Sequence, residues 1–138
     1  MSLILTKNEI DQLEEIISEK LLDSGAEHVM VVDLSGNLII QCGALEMEDV
    51  FSLAALSAAN FAATAEIARL IGEEDFTLMF HKGDKRNIHF SRLGQDYLII
   101  TLFNDNVSLG LIRLKLGTAI QQMWAVFGAM EEAEAWPS

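Results

Sequence analysis

The sequence predicts a single α/β domain of the α+β kind, with helices on both faces of a five-stranded, mostly antiparallel sheet. Three observations lead to this prediction. Helical and strand-like segments alternate in the order α-β-β-α-β-β-β-α, and most connections between strands are too short for parallel crossovers. The chain has 138 residues, of which 51% are hydrophobic and 22% charged, which is typical of one packed globular domain. No linker or repeat divides residues 1–138.

The first helix is predicted over residues 7–23. Thr6 and Glu9 match a capping box, in which two side chains satisfy backbone donors at the start of a helix. Apolar residues then recur every three or four positions and form one stripe opposite acidic residues. Gly25 suits the end of the helix. The stripe consists of Ile10, Leu13, Ile17 and Leu21.

A hairpin is predicted next, with strands over residues 28–33 and 38–42. The first strand, HVMVVD, is nearly continuous in apolar character, as expected of a central strand that is covered on both faces. Residues 34–37 (LSGN) supply turn chemistry, after which LIIQC runs back as the second strand.

The second helix is predicted over residues 48–71, where the chain contains no Gly or Pro and is rich in alanine. Its apolar residues occupy more than one side. Because a monomer would have difficulty covering both sides, we expect this helix to contact a second chain. Larger residues that can cover a sheet are Val50, Leu53, Phe61 and Leu70, and small ones that form a smooth surface are Ala55, Ala58, Ala59, Ala62 and Ala63.

Three further strands are predicted as a meander over residues 76–81, 87–91 and 97–103. In the first, FTLMFH, large apolar residues alternate with Thr, Met and His, and in the second, NIHFS, they alternate with polar residues. The third is an unbroken apolar run, which indicates a central position. A last helix begins at about Ser108. The acidic tail 131–138, which contains the only proline, is expected to be frayed.

Net charge and cysteine content limit the kinds of partner and the cellular compartment that we expect for this protein. Nine basic against 21 acidic residues give a net charge of −12, which repels nucleic acid and anionic lipid. The single cysteine, Cys42, cannot form an intramolecular disulfide and fits a reducing compartment. No signal-peptide pattern is present, and no apolar run approaches the ~20 residues that span a bilayer. We therefore expect a cytoplasmic protein that binds no nucleic acid and does not insert into a membrane.

A short basic stretch interrupts this acidic background. It forms either a local basic patch or a solvated hairpin. The glycine within it, Gly83, is not followed by a helix that could bind phosphate, so a hairpin turn is the simpler interpretation. The stretch contains Lys82, Lys85, Arg86 and Arg92.

No catalytic group, metal or cofactor is predicted. The chain lacks the phosphate-binding G-x-x-x-x-G-K-[ST] pattern, so it is not itself a P-loop nucleotide hydrolase. His81 and His89 can face one another across a turn, but two imidazoles without a third ligand make a poor zinc site. Cys42 is interpreted as a buried structural thiol. We expect at most a non-catalytic activator of a partner enzyme.

Three segments occur in an order and spacing that is moderately specific. They are VMVVDLSG at 29–36, LAALSAANFAA at 53–63 and NVSLGLIR at 106–113. In these segments the sequence resembles the roadblock family of dynein light-chain-related and GTPase-regulating proteins, over nearly the whole chain. The resemblance implies a profilin-like three-layer domain and a dimer, in which the second helix packs against its counterpart and the third strand pairs edge to edge across a two-fold axis.

The resemblance also implies a partner. In related bacterial proteins the dimer presents a surface to a Ras-like GTPase, and some members accelerate GTP hydrolysis whereas others are scaffolds. An alanine surface lets two helices approach closely, and a bare apolar edge strand is unstable, so the residues support dimerisation independently. The predicted dimer interface comprises Ala55, Ala58, Ala59, Ala62, Phe76, Leu78 and Phe80, and the candidate partner-binding residues are Phe51, Leu56 and Arg69.

Three functions therefore remain open. The first is a homodimeric regulator of a Ras-like GTPase. The second is a passive dimeric scaffold for a motor or signalling complex. The third is a small-molecule sensor, because profilin-like and PAS-like sheets can enclose ligands between sheet and helix. Arg69, Arg86 and Arg92 could each contact a partner's carboxylate or nucleotide phosphate, and the sequence singles out none of them as an arginine finger.

Overall fold

The computed structural model describes residues 5–46, 48–76 and 78–135, with side chains as far as Gly128. The order α-β-β-α-β-β-β-α is confirmed. The backbone is helical through Ala135, and residues 136–138 of the predicted tail lie outside the described part. The elements are α1 (Lys7–Ile17), β1 (His28–Asp33), β2 (Leu38–Gly43), α2 (Val50–Leu70), β3 (Met79–Lys82), β4 (Asn87–Leu93), β5 (Tyr97–Phe103) and α3 (Leu109–Ala135).

The five strands form one antiparallel sheet in the spatial order β2-β1-β5-β4-β3. Every residue of β5 is buried, and so are five of the six residues of β1. The prediction that these two strands are central is therefore confirmed. Since β2 and β3 lie at opposite edges, the connection between them crosses the whole sheet, and α2 makes that crossing.

Helices cover both faces of the sheet, as predicted, and each face has its own core. The core under α1 and α3 is the larger, and its largest side chains include Phe103 and Phe127. The core under α2 contains Met30, Phe61 and Phe90. Successive residues of a strand point to opposite faces, so the unbroken apolar sequences of β1 and β5 contribute to both cores at once.

The start of α1 shows the expected capping interaction. The Thr6 hydroxyl oxygen accepts a hydrogen bond from the Glu9 backbone N–H at 3.2 Å and donates to the Glu9 carboxylate at 2.7 Å. The helix proper ends at Ile17, earlier than predicted, and continues as a π-helical turn over Ser18–Leu22. Leu21 lies in that wider turn and is fully buried in the core.

Two features of α2 and β3 differ from expectation. The mean hydropathy of α2 reaches 1.4 over 18 residues, so by length and composition alone it could cross a membrane, although no such segment was expected. Only 28% of that window is buried, and its buried residues pack on the chain's own sheet. β3 begins at Met79 instead of residue 76, so Phe76 and Leu78 precede the strand, and Thr77 lies outside the described residues.

Gly43, at the end of β2, is tested by replacement with alanine. Its φ of 139° disfavours an L side chain, and a Cβ there would lie 2.5 Å from the Glu27 carbonyl oxygen. At Gly72, φ is 85° but a Cβ would meet no atom within 4 Å. We expect Gly72→Ala to lower the free energy of unfolding by about 1–2 kcal/mol, because an L side chain disfavours a positive φ. Gly43→Ala should lower it by a further ~1–3 kcal/mol, because its Cβ also overlaps the neighbouring backbone. Urea denaturation measures both, and equal losses would contradict the steric account.

Candidate protein-binding surface

α2 presents an apolar surface to solvent. Eleven of its residues are exposed, and only Ser52, Glu66 and Arg69 among them are polar. A helix on the surface of a monomeric protein normally carries its charged residues on this side. We call this surface the α2 face, which consists of Phe51, Ala55, Leu56, Ala59, Ala62, Ala63, Ile67 and Leu70.

The distribution of side chains along the α2 face is uneven. Phe51 and Leu56 lie near its start and are 72% and 69% exposed, and Leu70 lies near its end and is 69% exposed. The middle of the face is built from alanines, which leave the backbone accessible to close approach by another helix. The face is therefore flat in the middle and bulky at both ends.

Three of the four alanines of the predicted seam are exposed, and the structure corrects where two other residues point. Ala55, Ala59 and Ala62 are exposed. Ala58 is only 4% exposed, because residues three apart share one side of a helix and Phe61 packs in the core. Leu70 was expected to cover the sheet, but it shares the exposed side of Ile67.

Arg69, a candidate partner-binding residue, is exposed but already paired within α2. Its Nε donates to the Glu66 carboxylate at 3.0 Å. This hydrogen bond lowers the pKa of Glu66 and raises the pKa of Arg69. A partner that uses Arg69 must therefore compete with Glu66 or bind the two side chains together.

The outer side of β3 has no neighbouring strand among the residues that the structure describes. Met79 of β3 packs against the core under α2, so this free edge lies beside α2. Phe80 points the other way and stacks on Phe103, with 5.9 Å between ring centroids. The Phe80 side chain thus belongs to the chain's own core, and only its backbone remains available to a second chain. Phe76 and Leu78 are exposed just before the strand.

The histidines do not share a site. His81 contacts the ring of Phe90, and His89 precedes Phe90 and so points to the opposite face of the sheet. The suggestion that His81 and His89 face one another is therefore wrong. The third, His28, is buried near β2, where its Nε2 lies 2.9 Å from the Gln41 side-chain oxygen.

Two potentially reactive side chains are held in their uncharged forms. Burial raises the pKa of the Cys42 thiol to about 11, with a smaller contribution from Glu14. Burial also lowers the pKa of His89 to about 4, again with a smaller contribution, here from the charge of Arg113. At neutral pH Cys42 is a thiol instead of a nucleophilic thiolate, and His89 is a neutral imidazole.

The basic stretch on β3 and β4 is largely neutralised by acidic residues of the same chain. Lys82 lies 2.9 Å from Asp105, and Arg92 lies 3.1 Å from Asp75. A longer contact of 3.7 Å joins Arg86 to Glu27. These pairs favour the interpretation of the stretch as an ordinary hairpin with solvated charges.

The Roadblock/LC7 domain family matches residues 12–103, from α1 to the end of β5. The chain belongs to the Roadblock/LC7 family. That match spans the central strands and α2, so the exposed helix and the free edge strand described above are parts of the family's domain. The resemblance found in the sequence is thereby confirmed.

Solved structures of MglB proteins are similar to this Roadblock/LC7 chain over almost its whole length. MglB of Myxococcus xanthus is 31% identical, with a TM-score of 0.84 over 93% of this chain and 96% of that one. The gliding protein MglB of Thermus thermophilus is 26% identical, with a TM-score of 0.81 over 91% and 95%. An MglB with a tetrameric arrangement is 26% identical, with a TM-score of 0.84 over 94% and 97%.

A more distant similarity confirms the fold class. Profilin II of Acanthamoeba castellanii is 13% identical, with a TM-score of 0.57 over 82% of this chain and 97% of that one. At this level of identity the likeness shows the fold alone. The domain is therefore profilin-like, as the sequence predicted.

His89 makes the stability of this domain depend on pH. The unfolded imidazole binds a proton below its ordinary pKa of 6.5, whereas the folded one does so only below about 4. The unfolded state therefore holds more protons in this window, and folding stability falls as the pH drops from 6.5 to 4. Urea midpoints measured across this range should fall less steeply for His89→Gln than for the wild type. Parallel curves would contradict the buried neutral state of His89.

Proposed function

We propose that this Roadblock/LC7 protein is a homodimeric protein-interaction module that regulates a small Ras-like GTPase. The observation that carries the proposal is the apolar α2 face beside the free edge of β3. It is supported by family membership and by the 31% identity to an MglB over 93% of the chain. A cytoplasmic location is part of the proposal, because the single cysteine fits a reducing compartment.

The shape of the α2 face suits a second copy of the same helix. If two α2 helices cross antiparallel about a two-fold axis, the alanines of both copies meet in the middle. Phe51 and Leu56 of one copy then approach Ile67 and Leu70 of the other. Complete burial of one such large side chain contributes about 1.5–3 kcal/mol, and the small alanines allow the close approach that brings these side chains into contact.

The edge of β3 supports the same arrangement. A free strand edge exposes unpaired backbone N–H and C=O groups, and β3 contains no proline that would block pairing. Antiparallel pairing of β3 with β3 of a second copy would join two sheets into one and lie on the same two-fold axis as the helix crossing. Such an isologous contact is the commonest form of homodimer.

In the proposed regulation, the partner GTPase carries out the chemistry of GTP hydrolysis. The chain has no phosphate-binding loop pattern, so nucleotide binding and hydrolysis belong to the GTPase. A dimer that binds one nucleotide state of the GTPase more tightly than the other shifts the GTPase toward that state. The size of the shift is set by the difference in binding free energy. Stimulation of hydrolysis additionally requires that the dimer stabilise the transition state on the partner.

Ala59→Arg tests the dimer seam. A buried, unpaired guanidinium between two α2 helices is strongly unfavourable, so this variant should shift the protein from dimer to monomer. Ala125→Arg on the exposed side of α3 is the matched control and should leave the mass unchanged. Light scattering over a dilution series measures both. A wild-type protein that is monomeric at every concentration, or an Ala59→Arg variant that stays dimeric, would overturn this seam.

A capture and hydrolysis assay tests the regulatory role. The purified dimer is mixed with candidate Ras-like GTPases loaded with GDP or a GTP analogue, and complexes are measured by light scattering. We expect preferential binding to one nucleotide state and a faster single-turnover hydrolysis of GTP. Binding without any change in rate would favour the passive scaffold instead, and Ala59→Arg shows whether either effect needs the dimer. Absence of binding to both nucleotide states in every candidate would contradict the proposal.

A further inference from the structure

One histidine of the sheet is buried but has a ring nitrogen that the chain does not use. His89 is only 5% exposed, and its Nδ1 lies 3.2 Å from the Ser91 hydroxyl oxygen. Its Nε2 has no hydrogen-bond partner among the residues that the structure describes, although this atom is not sealed inside the core. Buried polar groups in folded proteins are nearly always hydrogen-bonded. The Nε2 of His89 is therefore a candidate binding group for another molecule.

The residue opposite His89 does not supply the missing partner. Thr101 of β5 pairs with His89 in the antiparallel register, so the two side chains lie on the same face of the sheet, under α3. The Thr101 hydroxyl is fully buried and makes no hydrogen bond within the described part of the chain. Two polar groups thus lie side by side under α3, and neither satisfies the other.

His89 lines a cavity of about 300 Å³. On the α3 side of the sheet, the other walls of this cavity are Ser91 of β4 and Leu116, Gly117 and Ile120 of α3. We call the part formed by these five residues the α3 pocket. A Cβ at Gly117 would meet no atom within 4 Å, so the glycine leaves the helix backbone accessible from the pocket.

The five residues of the α3 pocket carry no charge at physiological pH. Burial, with a smaller contribution from Arg113, holds the pKa of His89 at about 4, so its imidazole is neutral. The two arginines in the rest of the cavity already have interactions within the chain. Arg92 lies 3.1 Å from Asp75, and Arg113 is likewise engaged. Because an unpaired charge is costly to bury, the α3 pocket favours an uncharged ligand.

We propose that the α3 pocket binds a small uncharged alcohol or phenol, whose hydroxyl group hydrogen-bonds to Nε2 of His89. A hydroxyl both donates and accepts, so it suits Nε2 whichever nitrogen of the ring carries the proton. The apolar body of the ligand would contact Leu116 and Ile120. An apolar cavity of about 150 Å³ already holds benzene, so one ring is a suitable size. The proposal goes beyond GTPase regulation and does not depend on it, because the α3 pocket and the α2 face lie on opposite sides of the sheet.

Direct binding tests the proposal with three probes of similar shape. They are para-cresol, toluene, which lacks the hydroxyl group, and para-toluate, which carries a negative charge. In NMR titrations of the full chain, para-cresol at millimolar concentration should shift the amide signals of Ser91 and Gly117. Toluene and para-toluate should bind at least about tenfold more weakly, since a site that hydrogen-bonds a hydroxyl group discriminates against ligands without one.

Three variants locate the binding site. His89→Phe keeps a ring but removes the hydrogen bond, so it should weaken binding of para-cresol at least about tenfold and leave binding of toluene unchanged. Gly117→Leu fills the pocket and should weaken binding of both probes at least about tenfold. Gly110→Leu is the matched control and should bind like the wild type. A Cβ at Gly110 would meet only the Ser108 hydroxyl oxygen, at 4.0 Å, and this glycine lies outside the cavity.

Several results would overturn the proposal. One is that para-cresol shifts no signal of the α3 pocket in the wild type. Another is that toluene or para-toluate binds as tightly as para-cresol. The last is that Gly117→Leu binds para-cresol like the wild type. Circular dichroism shows that each variant is folded, and if His89→Phe does not fold, the comparison of Gly117→Leu with Gly110→Leu decides. Light scattering on the same samples reports the dimer separately from the pocket.

Discussion

The pairing of β1 with β5 is the interaction on which the rest of the structure depends. Both strands are apolar on both faces, so the sheet they centre needs a helical layer on each side. In the strand order β2 and β3 lie at opposite edges, so the connection between them must cross the sheet, and α2 makes that crossing. The sheet-facing side of α2 is therefore required by the fold. The fold does not require the outer side of α2 to be apolar. This is why we attribute that side to contact with another chain.

The parts of the fold that were predictable are those that local pattern determines. The limits of β1 and β5 were predicted correctly, because each is an unbroken apolar run bounded by turn or polar residues. The start of β3 was not predictable in the same way. Alternation of Phe76, Leu78 and Phe80 shows which residues share a face, but it does not show whether β4 offers a backbone partner at that point. The π-helical turn after Ile17 likewise depends on how Leu21 meets the core.

The candidate surface was predicted in outline and corrected in detail. An alanine-rich helix that is apolar all round indicates two contacts, but the sequence leaves open which residues face inward. In the structure the large side chain of Phe61 packs in the core and thereby determines which side of the helix faces the sheet. Ala58 consequently faces inward and Leu70 faces outward. The cavity lined by Phe61, Asp75, Arg92 and Gly117 could not be predicted at all, since these residues come from four separate segments that only the tertiary fold brings together.

The strand order also governs how the protein folds as it leaves the ribosome. Val29 of β1 pairs with Thr101 of β5, which is synthesised 72 residues later. Because the chain is synthesised at ~5–20 residues per second, β5 follows β1 after about 4–14 s. In that time β2 already pairs with the other edge of β1. During that interval α2 is complete and can shield one face of the nascent hairpin. The helix that we propose meets a second chain is thus available as an early cover for an apolar strand of its own domain.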